Sequence, residues 1–244
     1  MFVKGGFTNY GQEIGILMLD TIFPRIPGDI GNARSYNFPV RYKVVKGAKT
    51  DKIMGDRPDL DILQPFILAA QELEREGVKA ITTSCGFLAV FQKELKEAVG
   101  IPVFTSALIL VPLVRAMLNK GKNIAIFTER AHNLNERHFN GVGWSAKDIP
   151  VIVKGIKENA VFPSVFIENS PQLESEILTR EMQEMAREVM AEYPDTGAIV
   201  LECTNMGPFS ANIQPIAGVP VFGINNLLEF FHFSVNPRRF LETL

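Results

Sequence analysis

A cysteine that ends a short apolar run and precedes a stretch able to open a helix occurs twice in this chain, 118 residues apart. The first lies in Thr82-Thr83-Ser84-Cys85-Gly86-Phe87-Leu88 and the second in Leu201-Glu202-Cys203-Thr204-Asn205-Met206. The correspondence extends beyond the cysteines. Ala80, Ile81 and Phe91 recur as Ala198, Ile199 and Phe209, and Gly100-Ile101-Pro102-Val103-Phe104 as Gly218-Val219-Pro220-Val221-Phe222. One constant offset through strand, cysteine, helix and next strand predicts two related half-chains.

The remaining pattern fits that duplication. Apolar runs bounded by turn residues predict strands over residues 14–19, 39–45, 78–83 and 101–104, then 123–127, 151–154, 198–201 and 219–222. Between them, helical spacing predicts helices over 59–76, 88–99, 106–119 and 129–140. A further helix opens at Ser170-Pro171 and runs to about residue 193, another follows Cys203, and a last one starts at Asn225. Strands alternating with helices imply parallel sheets covered by helices. Ligands of such sheets bind beyond the carboxyl ends of the strands. Asp20, Cys85, Thr128 and Cys203 all fall at such ends. Residues 23–32, with two prolines and two glycines, form a long loop after the first strand, where binding residues often reside. Two lobes facing each other across a cleft are therefore expected.

Composition excludes several function classes. Lys and Arg total 25 against 27 Asp and Glu, without a basic run of the kind that tracks phosphates, so no nucleic-acid partner is expected. No apolar stretch approaches the ~20 residues of a membrane helix. The N-terminus lacks a basic segment followed by an apolar core, so the expected location is the cytoplasm. Two cysteines in that setting predict free thiols, not a disulfide. Neither a Cys-x-x-Cys pair nor a spaced Cys/His set is present, so no metal site is expected. His132, His138 and His232 are scattered and read as surface or loop residues.

Both cysteines sit at strand ends with small or polar neighbours, and the helix N-terminus after each would favour a thiolate. A phosphatase loop needs an arginine six positions after the cysteine, where Phe91 and Phe209 stand. A Cys–His hydrolase would use one thiol and leave the second unexplained. A pyridoxal enzyme would need a Schiff-base lysine, and Lys46 has no supporting pattern. Two symmetric thiols across a cleft suit proton removal from one face of a substrate carbon and delivery to the other, with no cofactor.

On these residues the chain resembles the aspartate/glutamate racemase superfamily, which includes hydantoin racemases, maleate isomerases and arylmalonate decarboxylases. Cys203-Thr204 matches the second cysteine motif of that group. Ser84-Cys85-Gly86 stands where many of its amino-acid racemases have Cys-Asn-Thr. Asn205 replaces the histidine of glutamate racemases and the glutamate of aspartate racemases, so Cys-Thr-Asn looks more like the isomerase and decarboxylase branches. The resemblance implies an α/β fold of two flavodoxin-like lobes with parallel sheets, related by pseudo-twofold symmetry, with the active site in the cleft. The C-terminal helix would return to the first lobe, giving residues 1–105 plus 223–244 against 106–222. It also implies Asp20 and Thr21 as supports of the first cysteine, Thr128 as a substrate contact, and often a homodimer.

The expected function is a cofactor-independent racemase or isomerase of a small carboxylate, of amino-acid or hydantoin type. Cys85 and Cys203 would be its proton-handling thiols. Asp20, Thr21, Arg25, Ser84, Gly86, Thr128, Thr204 and Asn205 would bind substrate, Arg25 by a bidentate carboxylate contact. A maleate-type isomerase with a nucleophilic cysteine and a non-catalytic carboxylate-binding protein are the alternatives.

Overall fold

The computed structural model describes residues 2–54 and 60–238. Two four-stranded parallel sheets organise it. In the first, β1 (Ile14–Leu19), β2 (Val40–Val45), β3 (Ala80–Thr83) and β4 (Val103–Phe104) lie in the order β2-β1-β3-β4. In the second, β5 (Asn123–Thr128), β6 (Val151–Gly155), β7 (Thr196–Leu201) and β8 (Val221–Phe222) repeat it as β6-β5-β7-β8. This is an α/β fold, and in each sheet the strand order reverses beside the central strand, at β1/β3 and β5/β7.

The 118-residue offset is visible residue by residue in the second part of each half. Ile81 pairs with Val103 and Thr82 with Phe104; Ile199 pairs with Val221 and Val200 with Phe222. A 3-10 turn over Gly86–Phe91 follows Cys85, and one over Thr204–Phe209 follows Cys203. Phe91 and Phe209 close those turns and are both buried. The edge strands β4 and β8 are shorter than expected because Pro102 and Pro220 have no N–H for the ladder. Each still accepts through its carbonyl, from Ile81 N–H and Ile199 N–H, both at 2.9 Å.

Why these runs are strands follows from their burial. All six residues of β1 and all four of β3 are buried, as expected for parallel strands covered on both faces. In the second sheet the faces separate. Ile124, Ile126, Ala198 and Val200 join the core built on the first sheet, whereas Ala125, Phe127, Ile199 and Leu201 pack into a second core.

The helices in chain order are α1 (Thr50–Ile53), α2 (Leu63–Arg75), α3 (Gln92–Glu97), α4 (Leu110–Met117), α5 (Glu136–Gly141), α6 (Val161–Phe166), α7 (Ser175–Glu192), α8 (Ser210–Ala217) and α9 (Ile224–Val235). Helix α4 packs against β5 and β7, and α9 against β1 and β3. Of the expected first-lobe segment 223–244, residues 239–244 lie outside the described residues, as does the expected helix start at Asp59.

Several expected helices differ. Residues 129–135 are turn, and α5 begins only at Glu136, where Asn135 accepts from Arg137 N–H as a cap. Ser170 does not open α7: its hydroxyl accepts from Gln172 N–H in a local turn, and the helix starts at Ser175. Ser106 does cap, accepting from Leu108 N–H, but it opens a 3-10 turn over Ala107–Ile109 before α4. Among the described residues no helix is long and apolar enough to cross a membrane.

Candidate functional site

Cys85 and Cys203 leave the carboxyl ends of β3 and β7 and line one narrow pocket. The sequence-predicted residues Arg25, Ser84, Gly86, Thr204 and Asn205 line it with them. Asp20, Thr21 and Thr128 do not. Exposed Asp20 accepts from Gly47 N–H at 3.0 Å, closing the ends of β1 and β2. Thr21 accepts from Arg25 Nη2 at 3.0 Å. Thr128 is fully buried, and its hydroxyl donates to Glu202 Oε2 at 2.6 Å, so it holds a pocket carboxylate in place of meeting substrate itself.

The pocket is closed by contacts between the halves. Thr204 donates its hydroxyl to the Ser84 carbonyl at 2.7 Å, while Ser84 Oγ accepts from Leu19 N–H at 2.9 Å. Asn205 Nδ2 donates to Asp29 Oδ2 at 2.8 Å. The other Asp29 oxygen accepts from Arg25 Nη1 at 2.7 Å, and the Arg25 guanidinium lies 4.4 Å from the centre of the Phe23 ring. Asn205 Oδ1 faces the Cys203 thiol at 3.8 Å. One chain of polar contacts thus runs Arg25, Asp29, Asn205, Cys203. Arg25 uses two of its five N–H groups on Thr21 and Asp29.

Gly86 shows how closely the halves approach. A Cβ there would fall well inside contact distance of Glu202 Oε1 and the Glu202 carbonyl oxygen. Glu202 is buried beside Cys85 as a result. A second carboxylate, Glu129, is also buried and also lines the pocket. Glu202 Oε1 and Glu129 Oε1 have no hydrogen-bond partner.

These charges set the ionisation of the site. Burial pushes the Cys85 thiol up to about 12, with Glu202 adding to the rise and the Phe87 N–H opposing it. Burial, then Glu129 and Glu202, raises Cys203 well above the ordinary thiol value, against the Asn205 N–H. The helix-stabilised thiolates expected from the sequence are therefore not what this fold makes. Only 3-10 turns follow the cysteines, and desolvation plus two carboxylates outweighs their N–H groups. Burial also raises Glu202 to about 7, against the Thr128 hydrogen bond, and Glu129 to about 8, against Arg130.

Sequence reasoning missed Glu129 and Glu202 as pocket residues, although each is a charged residue next to an apolar strand end. It also missed Thr50 and Met54 around α1, and Phe166 on α6, all of which line the pocket. Two histidines are corrected: His138 is buried, its Nδ1 accepts from Asn135 N–H, and burial depresses it to about 4, while His232 is half-buried on α9 with its ring stacked on Phe38.

No family model matches the chain. It is 32% identical over 234 residues, 93% of its length and 76% of the relative's, to a dimethylsulfoniopropionate lyase of Durusdinium sp. clade D. The chain belongs to this enzyme family. It is also 30% identical over 218 residues to dimethylsulfoniopropionate lyase 7 of Emiliania huxleyi, and it spans 63% of that protein's length. Among solved structures, an arylmalonate decarboxylase variant in sulfate-associated form superposes over 94% of the chain and 96% of its own, with TM-score 0.61 and 15% identity. Picrophilus torridus aspartate racemase superposes over the same shares of the two chains, with TM-score 0.57 and 12% identity. This chain thus has the fold that the resemblance to racemases implied.

Proposed function

We propose that this chain is a lyase that cleaves β-sulfonio carboxylates of the dimethylsulfoniopropionate type. The observation that carries the reading is the make-up of the pocket: two thiols, one arginine, two buried carboxylates and the rings of Phe23, Phe87 and Phe166. A substrate with a carboxylate and a methylated sulfonium finds a counterpart for each part. Free N–H groups of Arg25 suit the carboxylate, and the rings and carboxylates suit the onium group. Membership of the lyase family supports the same chemistry.

The step balances as a β-elimination. A thiolate removes one proton from the carbon next to the carboxylate. That electron pair forms the carbon–carbon double bond as the C–S bond breaks, and the sulfur leaves with its bonding pair. The products are acrylate, neutral dimethyl sulfide and a protonated thiol that returns its proton to solvent. Cys203 is the base in this reading, because it is the more exposed thiol and Asn205 orients its sulfur. Cys85, beside the Phe87 N–H, stabilises the charge that develops on the carboxylate.

The equivalent placement of Cys85 and Cys203 favours a second reading, the two-thiol racemase or isomerase of a small carboxylate expected from the sequence. One experiment separates them. The purified chain is incubated with dimethylsulfoniopropionate, and with enantiopure amino acids and hydantoins. Headspace dimethyl sulfide matched one-to-one by acrylate is the expected result. Racemisation of the chiral compounds without sulfide release would overturn the lyase reading.

A further inference from the structure

Glu202 and Glu129 are placed against ordinary expectation. Buried carboxylates are normally paired or fully hydrogen-bonded. Glu202 is 0% exposed and Glu129 3%, yet each keeps one oxygen without a partner. Both line the pocket that holds the two thiols. Glu202 is held there from both sides: Thr128 fixes Oε2, and the absence of a side chain at Gly86 makes room for Oε1. Residues that served only the core would not need that arrangement. We infer that Glu202, with Glu129 beside it, forms a cation subsite that selects substrates carrying a methylated onium group.

The chemistry of the lining narrows the ligand. Arg25 pairs with Asp29 and Thr21, and Arg130 acts on Glu129, whereas, among the described residues, Glu202 is influenced only by burial and the Thr128 hydroxyl. An ammonium ion could shed its proton in such a desolvated site, whereas a sulfonium or quaternary ammonium keeps its charge. Its methyl groups also suit Phe23, Phe87 and Phe166, since a ring face attracts a desolvated cation. A metal ion would demand a fuller set of oxygen ligands than two carboxylates supply.

This inference rests on the proposed lyase reading for its natural substrate, so its test uses probes that need no turnover. 3-(Trimethylammonio)propionate and 4,4-dimethylpentanoate have the same shape and carboxylate and differ by one positive charge. Calorimetry on the whole chain at pH 9, where both glutamates are ionised, should show the cation binding at least about tenfold tighter than its neutral isostere, the scale of one desolvated cation contact. Glu202→Gln should weaken the cation by roughly 30-fold or more, the loss expected when one partner of a buried charge pair is removed. It should leave 4,4-dimethylpentanoate nearly unchanged, and retained binding of that compound also proves the variant folded. Should Glu202→Gln fail to fold, the wild-type preference decides alone. Equal binding of the two isosteres by the wild-type protein would overturn the subsite, as would an equal loss of both in the variant. A cation preference that depends on Glu202, without any dimethyl sulfide release by the wild type, would leave the subsite standing and remove the lyase reading. Sulfide release without the preference would do the reverse.

Discussion

Asn205 Nδ2 donates to Asp29 Oδ2 at 2.8 Å, and these two residues stand 176 positions apart, one in each half of the chain. The bond does two things at once. It ties the loop after β1 to the turn after β7, and it turns the amide so that Oδ1 faces the Cys203 sulfur. Asp29 can hold this position because Arg25 shares its charge at 2.7 Å. The catalytic thiol of the proposed mechanism is therefore oriented by an ion pair that belongs to the opposite half.

Asn205→Ala is expected to lower stability by about 1–3 kcal/mol, the cost of leaving a buried acceptor short of a donor. Asp29 keeps Arg25, which holds the loss toward the lower end. Activity should fall by a larger factor than stability, because Cys203 loses its orienting group. Urea titration and steady-state kinetics on the same preparation check this; a stability loss with unchanged kcat would refute the orienting role.

Gly86→Ala should be among the most damaging small substitutions. The added methyl would overlap both the side-chain and the backbone oxygen of Glu202, and the backbone cannot yield as a flexible side-chain tip would. Overpacking of this kind costs about 1–3 kcal/mol. Gly28 is a second such point, with a would-be Cβ 2.6 Å from Pro208 Cα and a φ of +98°. A lowered Tm together with lost activity is expected at Gly86, whereas Ala at Gly121, where nothing lies within 4 Å, should cost only backbone strain.

Much of this was legible in the sequence because it was written twice. The strand before each cysteine, the turn after it and the next strand repeat at one offset, and repetition distinguishes signal from chance where a single cysteine could not. Seven of the residues singled out line the pocket. Thr50, Met54 and Phe166 were not legible, for α1 and α6 are four and six residues long and show too few turns for a periodic pattern. Glu129 and Glu202 were hidden differently. A charged residue beside a strand end reads as solvated, and only the assembled fold shows that both are buried, Glu202 against Gly86 of the other half. The thiol ionisation was misjudged for the same reason, since desolvation is a property of the assembled halves.

The two cysteines should not be equivalent in the elimination. Cys203→Ser is expected to lose about 10²–10⁴-fold in kcat, the contribution of a positioned base. Cys85→Ser should lose at least about tenfold less, because oxyanion-type support survives in part through the backbone N–H groups. Since burial and the carboxylates hold Cys203 well above the ordinary thiol value, wild-type activity should climb steadily with pH through the neutral range. Sulfide release measured for both variants across pH tests this. Equal, complete loss in both would favour the symmetric two-thiol mechanism.

Stability should run against activity on the alkaline side. Glu129 in the fold ionises near 8 and Glu202 near 7, both raised first by burial, from an ordinary value of 4.5. Between those limits the folded chain holds protons that the unfolded chain has released, so stability falls as pH rises. Their contribution is fully present below about 4.5 and lost as pH climbs through 7 to 8. Each unit of difference corresponds to about 1.4 kcal/mol, so the decline between pH 5 and 9 should reach several kcal/mol. His138 acts in the opposite direction. Burial depresses it from 6.5 to about 4, so the unfolded chain takes up a proton first and this residue's contribution falls as pH drops from 6.5 toward 4. Arg137, Asn135 and the Phe87 ring face His138, and Arg130, Arg25 and the two thiols share the environment of the glutamates. Between pH 4.5 and 6.5 the two glutamates outweigh the one histidine, so urea titrations at pH 4, 6 and 9 should find stability falling from pH 4 to 9, more gently below 6.5 than above it. Glu129→Gln should make the profile nearly flat between pH 4.5 and 6.5, where Glu202 and His138 then offset each other, while His138→Gln should steepen the fall over the same range. A profile that kept rising to pH 9 in the wild type would show that the glutamates are ionised and satisfied within the fold.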